Sequence, residues 1–234
     1  MERLDKILAG TGRWSRKEAR ELIRAGRVAV NGATAAAPEG KYDPAASFTV
    51  DGEPVSGQRL VYLMLHKLAG VLSATEDPRQ STVLDLLPPH LRRVGLFPVG
   101  RLDKDTEGLL LLTNDGPLAH RLLSPRHHVD KTYFVRVQGR ITREDVELFA
   151  AGMTLRDGLV CLPARLEPLE GEGEALITIQ EGKYHQVKRM MASRYMPVVY
   201  LKRLSMGPLV LDETLMPGSW RPLTPAELAA LAAL

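Results

Sequence analysis

Asp103 and Asp105 lie two residues apart in a charged run, Gly100-Arg-Leu-Asp-Lys-Asp-Thr-Glu-Gly108, that separates apolar segments. Polar loops between apolar strands carry function more often than packing. Three roles suit the two carboxylates: general acid–base work, cation ligation, or turn formation in a solvated loop. In an extended segment Arg101 and Asp103 share a side, because side chains alternate. Lys104 and Asp105 are expected to face away from Asp103, which argues against a dyad of the two aspartates. Other candidate groups carry less. His127 and His128 are adjacent, so they diverge on a strand or a helix, and no metal site is expected there. Cys161 is the only cysteine. It reads as a buried structural thiol and favours a reducing, cytoplasmic compartment. Neither a Walker A pattern nor a Gly-x-Gly-x-x-Gly fingerprint occurs.

The elements that must hold this loop follow from periodicity. Strand-like runs occupy 60–65, 108–113, 132–138, 175–180 and 198–201. Helices are expected at 81–87, 117–123, 142–151, 185–194 and 225–234, the last capped by Thr224 with Pro225 and Glu227 behind it. The two types do not alternate strictly, so the expected class is α+β with a mostly antiparallel mixed sheet. Nearer the N-terminus, Leu4, Ile7 and Leu8 mark one short helix, and Ser15 with Glu18 forms a capping box for a second. Residues 27–30 and 47–50 read as strands, with hairpin turns at Asn31-Gly32 and Asp51-Gly52. The Pro- and Gly-broken stretch 53–58 is a candidate linker, dividing the chain into regions 1–57 and 58–234.

Charge adds a second clue. The 234 residues carry 31 Lys and Arg against 28 Asp and Glu, a net charge of only +3. A hydrophobic content of 44% excludes a disordered chain. No apolar run reaches membrane-spanning length, and the charged N-terminus lacks a signal-peptide core. Locally the balance is uneven: +4 over residues 1–32, +3 over 120–136 and +5 over 181–203. Arg16, Arg20, Arg24 and Arg27 recur at helical spacing. They either contact nucleic-acid phosphates or form a solvated helix face. With only four Phe and two Trp, extensive base stacking is not expected, so shape and phosphate contact should dominate.

Two resemblances give these patterns meaning. Arg3-Leu-Asp-Lys6, Ser15-Arg16, Ala19, Ile23, Gly26, Val28 and Val30-Asn-Gly32 resemble the S4 RNA-binding domain, over nearly all of residues 1–55. That favours phosphate contact and marks Arg3, Lys6, Arg16, Lys17, Arg20 and Arg24 as expected RNA contacts. The run from Gly100 to Gly116 resembles the central motif of ribosomal pseudouridine synthases, in the branch that carries an S4 domain. His66–Val71, Lys131-Thr-Tyr133, Glu181–Met190 and Leu201–Gly207 resemble that family's other motifs, in unbroken order.

The resemblance implies a small S4-like α/β module followed by a larger domain of the pseudouridine synthase fold. It implies isomerisation of uridine to pseudouridine in ribosomal RNA, without a cofactor. Asp103 would be the catalyst, and Tyr133 would pack on the extruded base. Lys188, with Arg189 as the alternative, would be the basic partner, and Arg101 would contact phosphate or fill the gap left by the base. Arg126, Lys131, Lys183, Arg189 and Arg203 would extend the RNA surface. Ser124–His128 and Tyr184–Arg189 resemble the small-subunit members of the branch. They imply action on 16S rRNA or an assembly particle, near position 516, and the expected state is a monomer. The alternatives are a 23S rRNA target or a non-catalytic assembly factor.

Overall fold

The computed structural model describes residues 1–55, 60–124 and 127–234. The expected 57/58 boundary and Arg126 lie outside the described residues. At the N-terminus, helix α1 (Leu4–Gly10) buries Leu4, Ile7 and Leu8. Helix α2 (Arg16–Arg24) starts at a reciprocal cap: the Glu18 amide donates to Ser15 Oγ and the Ser15 amide donates to Glu18 Oε2. Four short strands follow: β1 (Val28–Val30), β2 (Ala33–Thr34), β3 (Phe48–Val50) and β4 (Glu53–Val55). They form an antiparallel sheet in the order β2-β1-β3-β4. Asn31-Gly32 and Asp51-Gly52 all have positive φ, as two-residue hairpins require. Residues 53–55, expected in the linker, instead pair with β3 and bury Val55 in the small core.

The larger sheet has nine strands. Its main members are β5 (Tyr62–Lys67), β6 (Glu107–Thr113), β7 (Lys131–Val137), β8 (Arg165–Pro168), β9 (Glu174–Ile179), β10 (Val198–Met206) and β11 (Trp220–Pro222). They lie in the order β8-β9-β7-β10-β6-β5-β11, with two-residue strands at Phe97–Pro98 and Leu209–Val210 on the sides of β6 and β10. Among the described strands of this sheet only β6 and β10 pair in parallel, so the mixed, mostly antiparallel expectation holds. Helices α3 (Gly116–Leu123), α4 (Arg143–Ala151), α5 (Gln186–Ser193) and α6 (Pro225–Ala232) complete the frame. The helix expected at 81–87 is a single 3-10 turn, Val83–Leu86, because Pro88-Pro89 leaves no room for another turn.

Strand β6 lies between two cores. Leu110 and Leu112 face one, with Leu63 and Leu65 of β5. Leu109 and Leu111 face the other, with Leu118 of α3 and Leu231 of α6. Burial on both faces explains the unbroken apolar run that follows the charged loop. The loop thus feeds directly into the most buried strand of the sheet.

That strand begins with a backbone contact. Gly108 pairs with Arg203 across the parallel seam at φ +102°. A Cβ there would lie 2.2 Å from the Arg203 carbonyl oxygen and 2.7 Å from its nitrogen. Gly108→Ala must push β6 and β10 apart and should cost at least about 3 kcal/mol of folding stability. Gly116→Ala is the control, since nothing lies within 4 Å of its added Cβ. Thermal unfolding should separate the two clearly, and equal melting temperatures would contradict this reading of the seam.

Candidate active site

Asp103 stands at the start of a turn. The Thr106 amide donates to the Asp103 carbonyl at 3.1 Å, so residues 103–106 bend rather than extend. The bend brings both aspartates to one cation. Lys188 Nζ, in the first turn of α5, lies 3.1 Å from Asp103 Oδ2 and 2.5 Å from Asp105 Oδ1. The expectation that Asp105 faces away is therefore overturned, because the turn sets its direction. Burial pushes the Lys188 ammonium toward losing its proton, but hydrogen bonds to Asp105 and Asp103 outweigh burial and hold its pKa above the ordinary lysine value. The Lys188 hydrogen bond also draws the Asp105 carboxyl below its ordinary range. His185 Nε2 reaches the other Asp103 oxygen at 3.5 Å.

The loop backbone is held on both sides of Asp103. The buried Ser73 hydroxyl donates to the Leu102 carbonyl at 2.9 Å and accepts from the Leu102 amide at 3.0 Å. Lys67, at the end of β5, is fully buried. Its ammonium donates to the carbonyls of Leu68 and Lys104, both at 3.1 Å, and of Thr106 at 2.8 Å. Burial draws its pKa down to about 8, against the pull of Asp105 and Asp103. One charge thus ties the loop's turn to the neighbouring strand.

A narrow cleft of about 60 Å³ opens beside Asp103. Arg101, Asp103, Tyr133 and Lys188 all line it, so the four expected catalytic positions converge on one place. Tyr133 reaches it because alternate residues of β7 point inward. Arg101 is exposed at the rim. Thr106 also lines the cleft, and its hydroxyl is buried without a hydrogen-bond partner among the described residues.

Several expected RNA contacts have other positions. Lys131 shares the inward face of β7 with Tyr133, so its ammonium is buried and donates to the Val129 carbonyl at 2.7 Å. Burial pushes its pKa down. Arg203 is buried too, its Nε donating to the Leu109 carbonyl at 2.8 Å. Both serve the fold rather than a surface. Arg189 follows Lys188 on the helix and therefore points elsewhere, pairing with Asp157. Lys188 is the residue beside Asp103. Lys183 binds Glu181 at 2.7 Å and the Val160 carbonyl.

The N-terminal cations are organised around an acid. Asp5 is fully buried and receives Arg3 at 3.0 Å, Arg20 at 2.8 Å and Arg16 at 3.6 Å. Burial pushes its carboxyl up, but the guanidinium hydrogen bonds and charges outweigh this and bring it down to about 2. Each guanidinium remains partly exposed, presenting cations in fixed positions. Lys6 pairs with Glu2 at 3.0 Å, whereas Lys17 and Arg24 are simply exposed.

Sequence reasoning did not single out Asp5, Lys67 or His185. Lys67 carried a readable signal: a lysine ending an apolar strand run must bring its charge to a partner. Lys67→Met preserves bulk but takes the ammonium donor from three carbonyls, of which only that of Lys104 is seen to keep another donor, the Gly70 amide, a loss on the order of 3 kcal/mol. The folded pKa of about 8 lies below the ordinary 10.5. The folded wild type therefore releases this proton before the unfolded chain does, and its stability rises from about pH 8 to 10.5. Urea unfolding should show the gap between wild type and Lys67→Met widening from about pH 7 to about pH 10. A narrowing gap would contradict the assignment.

Comparison with known proteins places this geometry. The RNA pseudouridylate synthase family matches residues 61–193, and the S4 domain matches residues 2–39. The chain is 52% identical to an uncharacterized RNA pseudouridine synthase, YtzG, of Bacillus subtilis, covering 98% of each chain. It is 42% identical to ribosomal small subunit pseudouridine synthase A of Pseudomonas aeruginosa, over 98% of this chain and all of that one. A crystal structure of a pseudouridylate synthase superposes with a TM-score of 0.71 at 35% identity, covering 99% of this chain and 100% of the other. A charged loop held against a buried strand, a cleft with Asp103 at its base and an S4 module ahead of it thus belong together: the chain is a member of the RNA pseudouridylate synthase family, an isomerase with an N-terminal S4 RNA-binding domain.

Proposed function

We propose that the protein converts one uridine of 16S rRNA, near position 516, to pseudouridine, with Asp103 as the catalytic carboxylate. The observation that carries the chemical part is the Asp103–Lys188 contact at 3.1 Å inside the cleft. A carboxylate that acts as nucleophile or base must stay ionised when the substrate displaces water. Lys188 supplies the opposing charge. The reaction breaks N1–C1′, turns the uracil and joins C5 to C1′. The C5 proton leaves and N1 gains one, so atoms and electrons balance within the nucleotide.

The other cleft groups divide the work. Tyr133 stacks on the extruded uracil, replacing the neighbours it lost. The unpartnered Thr106 hydroxyl offers a hydrogen bond to a polar edge of the base. Arg101, at the rim, meets backbone phosphate or the space the base vacated. The Asp5-centred arginines Arg3, Arg16 and Arg20, with Lys6, Lys17 and Arg24, provide a separate phosphate surface. In this reading residues 1–57 hold the RNA and residues 58–234 perform the reaction.

Relatives named for the small subunit support the 16S target. Ribosomal small subunit pseudouridine synthase A of Pseudomonas aeruginosa aligns over 98% of this chain and all of its own, and that of Escherichia coli, at 40% identity, over 98% of this chain and 99% of its own. Purified protein incubated with 16S rRNA, 23S rRNA and small-subunit assembly particles, then mapped by carbodiimide-dependent reverse-transcription stops, tests it. A new stop in 16S rRNA is expected, and a stop only in 23S rRNA would refute the target. Asp103→Asn should abolish the stop while RNA affinity changes less than about threefold, because the S4 surface supplies most of the phosphate contact. A fully active Asp103→Asn protein would refute the catalytic role.

A further inference from the structure

Two stacked rings, the inner one beside Asp103, have no part in the chemistry described so far. Tyr184 is 75% exposed, in a chain where aromatic residues make up only 5%. One face of its ring is covered by His185, with centroids 3.9 Å apart and planes tilted by 17°. His185 in turn lines the cleft and places Nε2 3.5 Å from Asp103 Oδ1. Tyr184, His185 and Asp103 therefore form a short path from solvent to the catalytic carboxylate.

The backbone holds this stack in place. His185 adopts φ 48° and ψ 34°, a left-handed conformation that residues other than glycine seldom occupy. The turn around it is tied down by the buried Gln186, whose Oε1 accepts from the Lys183 amide at 3.1 Å and whose Nε2 donates to Glu181 at 2.7 Å. Arg189 Nη1 also donates to the Tyr184 carbonyl at 3.3 Å. A flat aromatic ring, exposed and held from behind by a second ring, has the features that stack a nucleobase.

We propose that Tyr184 is the stacking platform for the nucleobase adjacent to the target uridine, with His185 as the spacer that fixes its distance from Asp103. The inference rests on Asp103 being the catalytic carboxylate. A uridine pulled from its stack leaves its neighbour with one bare face. Tyr184 covers that face while the uracil occupies the cleft. Stacking tolerates any base, so the platform sets the register of the strand rather than reading its sequence. Tyr184 is a positioning residue, and its contribution falls on substrate capture.

The test uses the full-length protein and the rRNA, 16S or 23S, in which the wild type forms pseudouridine. Short RNAs carrying that site are made intact and with the base removed on the 5′ or the 3′ side of the target. Tyr184→Ala should raise KM for intact RNA roughly 5- to 150-fold, with kcat changed far less. Tyr184→Phe should stay within about twofold of wild type, because the stacking face is retained. On one of the two abasic RNAs, wild type should fall to the level of Tyr184→Ala, and Tyr184→Ala should lose nothing further. An unchanged KM for Tyr184→Ala on intact RNA would overturn the proposal. So would a Tyr184→Ala defect that persists undiminished on both abasic RNAs. Failure of the underlying reading shows separately: an active Asp103→Asn protein removes the catalytic assignment, whereas the KM series judges Tyr184.

Discussion

The ammonium of Lys67 is removed from water and surrounded by three backbone carbonyls, two of them in the loop that carries Asp103. A buried charge is costly unless it is fully hydrogen-bonded. The same condition that makes Lys67 expensive to bury makes the loop expensive to move, since displacement would strand the charge. The Ser73 hydroxyl fixes the backbone one residue before Asp103, and the Gly108–Arg203 contact fixes it at the start of β6. The carboxylate is therefore placed by anchors that do not themselves need to touch substrate. Such prior placement is what lets a single group act without reorganising at the moment of reaction.

Charge is arranged on the same principle in both parts of the molecule, with the signs reversed. In the cleft, one cation, Lys188, lies between two carboxylates. In the N-terminal module, one buried carboxylate, Asp5, gathers three guanidiniums. In the first case the surplus within the cluster is negative, and Asp103 and Lys188 both line the narrow cleft. In the second it is positive and faces outward, suited to phosphate. A net charge of +3 conceals both arrangements.

Much of this was legible in the sequence because the residues repeat simple rules. The capping box at Ser15 and Glu18, the two Gly-containing hairpins and the strand β6 follow from local chemistry. The convergence of Asp103, Tyr133 and Lys188 was reached through motif resemblance, since no spacing rule links residues so far apart. The failures share one cause. Lys131 and Arg203 are cations on strands, and charge alone suggested a surface, yet the inward phase of each strand buries them against carbonyls. Asp105 was misdirected by treating a tight turn as extended chain. Burial and turn geometry are decided by tertiary partners, which composition does not name.

The central claim is that the Lys188 ammonium keeps Asp103 competent inside the cleft. Single-turnover pseudouridine formation with Lys188→Met and Lys188→Arg, measured with saturating enzyme, tests it most directly. Loss of the counter-charge should slow the chemical step on the order of 100-fold in Lys188→Met, and Lys188→Arg should retain most of the rate, because either cation opposes the carboxylate. A Lys188→Met protein that turns over at the wild-type rate would contradict the account.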